Sequence, residues 1–147
     1  ESNSLELAVR MANGNLETGV RVLNGDFGEM RSSVELFIKA GLERNDEVYW
    51  DSVERIGNDR TEQMDFLRIC VQYIRDLFLI RNGQEDMIVM VDRKGYLQSL
   101  IPYWDNHRIE RVAIELDSVV EGLDRNSSFQ LLLSEVWRLL RRCASVI

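Results

Sequence analysis

The sequence predicts an all-α fold: a bundle of about five to six helices preceded by a short helical hairpin. Three observations carry this. A single Pro among 147 residues leaves long stretches free of the residue that breaks the i→i−4 ladder. Apolar residues recur three and four positions apart through most of the chain, the period of an amphipathic helix. Hydrophobic residues at 45% and charged residues at 29% exclude disordered and collagen-like chains. A chain of this length buries about two thirds of its surface on folding, enough for one core.

The elements follow in order. Ser4 to Asn13 and Asn15 to Leu23 are expected to pair as the hairpin, with Gly14 at its corner and Asn24-Gly25 as a linker. Residues 1–24 and 25–147 therefore read as two units. Phe27, Met30, Val34, Phe37 and Gly41 mark a helix from about Asp26 to Glu43. Asn45-Asp46 caps a second, to Ile56, with Tyr49, Val53 and Ile56 inward.

From Arg60 to Asn82 two stripes adjoin: Met64, Leu67, Val71, Ile74 and Phe78, beside Phe66, Cys70, Tyr73, Leu77 and Ile80. So wide an apolar face predicts the central, most buried helix. Asp59 with Glu62 starts it and Asn82-Gly83 stops it. The apolar run Met87 to Val91 has no strand partner, so Gln84 to Asp92 is expected as an extended connector over the core. A short helix from about Arg93 to Tyr103 follows.

Ile109, Val112, Leu116, Val119 and Leu123 form the next helix, capped by Asp105. Gly122 and the turn Asp124-Arg125-Asn126 separate it from an antiparallel neighbour. That last helix carries Phe129, Leu133, Val136, Leu140 and Cys143, with Leu132 and Leu139 on its flank and Ser127 and Gln130 as a capping box.

Charge narrows the function classes. Lys plus Arg is 18 and Asp plus Glu is 25, a net −7, which argues against nucleic acid as the main ligand. Cys70 and Cys143 lack disulfide or metal spacing and read as reduced core thiols of a cytoplasmic protein. No apolar run is long enough for a membrane span. The lack of an initiating Met at Glu1 suggests a piece of a longer chain.

Catalytic chemistry is not visible. There is no GxxxxGK[ST], HExxH, GxSxG or glycine-rich dinucleotide fingerprint. The single His107 stands beside Asp105 and Asn106 without a nucleophile or orienting partner in the pattern, and the acidic residues read as solvated helix faces. No catalytic residue, cofactor or metal is expected. Contact fits better. Trp50, Tyr103, Trp104 and Trp137 lie near helix ends or beside the stripes, where aromatics either anchor an interface or cap the core edge. Arg138, Arg141 and Arg142 make a basic last turn that serves a partner or simply complements the helix dipole.

Residues 73–83, Tyr-Ile-Arg-Asp-Leu-Phe-Leu-Ile-Arg-Asn-Gly, resemble the "LRDLLLL+xG" stretch of the collar in delta-prime and gamma/tau subunits of the bacterial DNA polymerase III clamp loader. Two further stretches fall in the same order. Residues 7–23 resemble the end of the AAA+ lid, "A…A.GS.R.AL.LL", and residues 126–135 resemble the start of the final collar helix, "N..L.LE.LLL.L". Together they cover nearly the whole chain, although each alone is mostly apolar helix.

The resemblance implies a lid remnant at 1–24 followed by a helical collar at 25–147. It implies a protein of DNA replication whose collar joins the other clamp-loader subunits, gamma/tau and delta, in a five-membered ring. Sliding clamp and primer-template DNA would be met only through the whole complex, with no membrane involved. The last two helices, with Tyr103, Trp104, Trp137, Arg138, Arg141 and Arg142, are the expected contact surface. In the lid pattern, the arginine that senses the γ-phosphate is replaced here by Glu17. A carboxylate beside a triphosphate repels it, so the non-hydrolysing delta-prime subunit fits better than gamma/tau. The alternatives are the gamma/tau collar and an unrelated helical adaptor.

Overall fold

The computed structural model describes residues 28–104, 109–125 and 127–144. Among them are six α-helices: α1 (Gly28–Leu42), α2 (Asp46–Ile56), α3 (Arg60–Arg81), α4 (Lys94–Leu100), α5 (Ile109–Asp124) and α6 (Phe129–Cys143). Three 3-10 turns, Glu85–Met87, Val91–Arg93 and Ile101–Tyr103, join α3 to α4 and extend α4. There is no strand among the described residues, so the fold there is all-α. The expected hairpin at 1–24, with Glu17, lies outside the described residues, as do Phe27, the Asp105 cap and the side chains of Ile109 and Val112.

Helix α3 is the axis. Twelve of its 22 residues are buried, and it touches every other helix, as its two apolar stripes require. Within those stripes only Phe78 stays half-buried. Asp59 accepts a hydrogen bond from the Glu62 amide at 3.1 Å. At the other end Gly83 takes φ +76°, and Gln84 N–H donates to the Leu79 carbonyl at 2.8 Å, closing the helix with a left-handed stop. Helix α1 ends by the same device: Arg44 sits at φ 61° and Asn45 N–H donates to the Ala40 carbonyl at 2.8 Å. A Cβ there crowds the backbone, which is why the sequence, lacking Gly, conceals this stop.

Helices α5 and α6 are antiparallel, since Gly122 faces Leu132 while Glu115 pairs with Arg142. Four expectations change. Gly122 does not separate the two helices; it lies inside α5, where an added Cβ would run into the Leu132 side chain. Ser127 and Gln130 form no capping box. The Ser127 amide closes α5 on the Gly122 carbonyl at 2.9 Å, so Ser128 takes the N-cap position, without a side-chain cap bond. Asn45 likewise holds the α2 N-cap position without one. The connector after α3 is not extended throughout; it folds into two 3-10 turns around an extended Ile88, because its amides still need acceptors.

Candidate interaction surface

The residues expected to make contacts divide by burial. Trp137 is 7% exposed and Trp104 3%, so both are core side chains with little surface to offer a partner. The Trp137 ring lies tilted against Phe37 and Tyr49, with centroids 5.1 Å and 5.2 Å away, tying α6 to α1 and α2. Tyr49 in turn meets Trp50 edge-on at 5.2 Å. Trp50, 66% exposed, is the solvent end of this aromatic column. Tyr103 is half-buried in the last 3-10 turn. Trp104 bridges to Ala144, tying the residue after the last 3-10 turn to the residue after α6.

The basic turn is partly spoken for. Arg141 pairs with Asp46 of α2 at 3.3 Å and Arg142 pairs with Glu115 of α5. Both arginines are exposed, so each pair contributes about 0–1 kcal/mol. Arg138 is exposed, and its Nε donates only a long 3.4 Å bond to the Ser134 carbonyl. Its charge acts on Tyr49, whose hydroxyl burial pushes up and the guanidinium pulls back down.

Periodicity missed the buried polar groups. Glu35 and Asp76 are 6% and 0% exposed, against the expectation that carboxylates sit on solvated faces. Asp76 accepts from the amides of Val89 at 3.0 Å and Met90 at 2.8 Å, and from Gln72 Nε2 at 3.0 Å. It thereby fastens the connector whose Ile88 and Met90 side chains are buried. Glu35 accepts from Tyr73 Oη at 2.5 Å and takes a two-pronged contact from Arg93, one prong at 2.7 Å from Nε. Its carbonyl accepts from Tyr96 Oη at 2.9 Å, and Arg31 pairs with Asp92 at 2.7 Å. Two buried carboxylates on two helices thus hold one strap, the middle by α3 and the end by α1.

This network has electrostatic consequences. Burial, and then the bond to Glu35, push the Tyr73 hydroxyl well up. Burial and the nearby Glu35 charge push Tyr96 up to about 12. Burial raises the Cys70 thiol, so Cys70 is poorly suited to act as a nucleophile. Among the described residues no three His, Cys, Asp or Glu side chains converge as a metal site, and no helix is long and apolar enough to cross a membrane.

The surface also holds a groove of about 500 Å³ between α1 and α2, reaching Glu62 and Phe66 of α3. No family model, curated protein or solved structure matches the chain.

Proposed function

We propose that this chain is the collar of a bacterial DNA polymerase III clamp-loader subunit, delta-prime-like, preceded at 1–24 by the end of its AAA+ lid. On this reading it is an assembly domain without catalysis or a cofactor of its own, working in the cytoplasm. It seats its subunit beside gamma/tau and delta in the ring, and meets sliding clamp and primer-template DNA only through that complex.

The reading rests on the order and spacing of the three collar-like and lid-like stretches. Residues 73–83 supply what their place in the fold demands at polar as well as apolar positions. Leu77 and Ile80 enter the core, Asp76 fastens the connector and Gly83 stops the helix. On this reading α5 and α6 form the ring contact, with the exposed Arg138 as a cation among the described residues. Arg141 and Arg142 already serve partners within the chain, so charge reversal at Arg138 is the cleaner probe.

The polypeptide upstream of Glu1 tests the assignment. An AAA+ pattern with an eroded phosphate loop is expected. An intact GxxxxGK[ST] would move the chain to the gamma/tau subunit, and absence of any AAA+ pattern would leave a helical adaptor.

A further inference from the structure

The groove opens between α1 and α2 and reaches Glu62 and Phe66 of α3. Its floor is apolar, made by Met30, Ala40, Val48, Ile56 and Phe66, and Leu36 stands on its rim, 55% exposed. Four carboxylates, Glu29, Glu43, Asp51 and Glu62, line it against two cations, Lys39 and Arg55. Among the described residues none of these four carboxylates is ion-paired.

An apolar floor inside a charged rim is the anatomy of a protein interface. Small-molecule pockets are instead mostly apolar and enclose their ligand. We infer that the groove is a docking site for a basic amphipathic helix of a partner protein. Apolar side chains at helical spacing seat on the floor and rim-facing Lys or Arg meet the spare carboxylates, the helix-in-groove mode of recognition. A second copy of this chain fits poorly. The exposed face of α2 carries Glu47, Asp51 and Glu54, and bringing it to an acidic groove opposes like charges. The inference does not rest on the clamp-loader reading.

The test uses the full chain and a fluorescent leucine–lysine amphipathic peptide, with its leucine–glutamate counterpart as control, followed by anisotropy. The basic peptide is expected to bind, more weakly as salt rises, and the acidic one not to. Leu36→Asp decides between seating and loose charge attraction. It adds a negative charge, so unspecific attraction would tighten binding, whereas seating in the groove predicts a loss of roughly tenfold. Glu43→Lys with Asp51→Lys is expected to weaken binding similarly and flatten its salt dependence. Equal binding of both peptides, no binding of the basic one, or tighter binding by Leu36→Asp would each overturn the inference. So would a dimer of the chain alone that Leu36→Asp dissolves, which would give the groove to a second copy.

Discussion

Helices α3 and α2 are both amphipathic, yet they are held in opposite ways. In α3 the apolar face is wide enough to be covered from several sides, and Leu67, Tyr73, Ile74 and Leu77 lose all contact with solvent. In α2 no residue is buried; Val48, Tyr49, Val53 and Ile56 only lean on the core. A narrow stripe over a finished core contributes area without being needed to complete it. The lesson is that α3 is needed to complete the core, as is the buried face of α1, while α2 covers that core from outside.

Cutting into the core face of α3 or α6 should have the largest effect. Ile74→Ala or Leu133→Ala, each fully buried, should cost about 2–5 kcal/mol through the cavity left behind, measured by urea unfolding. A loss below about 1 kcal/mol at either site would mean that the core lies elsewhere. Asp76→Asn should follow at about 1–3 kcal/mol, because the amide replaces an acceptor oxygen with a donor facing the connector. It should also speed hydrogen exchange at Val89 and Met90 selectively. Gly41→Ala sharpens the picture of packing: its Cβ would lie 2.7 Å from Leu140 Cβ, an atom that no rotamer change can move. The expected loss is about 1–3 kcal/mol from overpacking. At the other extreme, Val53→Ala in α2 should cost less than about 1 kcal/mol, since its side chain is only partly buried.

The strap adds a dependence on pH. Tyr73 and Tyr96 keep their protons in the fold beyond the ordinary value of 10. Stability from such raised groups is complete below that value and is lost as pH climbs through the folded ones. Melting temperature should therefore fall from pH 10 towards 12. Tyr73→Phe should be less stable at neutral pH, yet decline more shallowly over that window. An equal slope in both proteins would detach Tyr73 from the effect.

How much of this was readable beforehand follows from what periodicity encodes. The α2 bounds and the start and stop of α3 match expectation, because a cap, a glycine and a repeating stripe are local signals. Glu35 and Asp76 were not readable as partners, since their acceptor roles depend on residues up to 58 positions away. A hint existed: Asp76 continues the row Ile69, Tyr73 and Ile80, and Glu35 lies between Val34 and Phe37. A lone carboxylate inside an apolar row calls for donors from another element. The aromatics misled for a related reason. Position beside an apolar stripe does not distinguish Trp137, which locks three helices together, from Trp50, which faces solvent.

Assembly tests the functional claim most directly. The full polypeptide that carries this chain, mixed with gamma/tau and delta subunits, should appear by native mass spectrometry as one copy in a five-subunit complex, with Arg138→Glu weakening its incorporation at low salt. A polypeptide that stays alone with all partners present would contradict the collar reading.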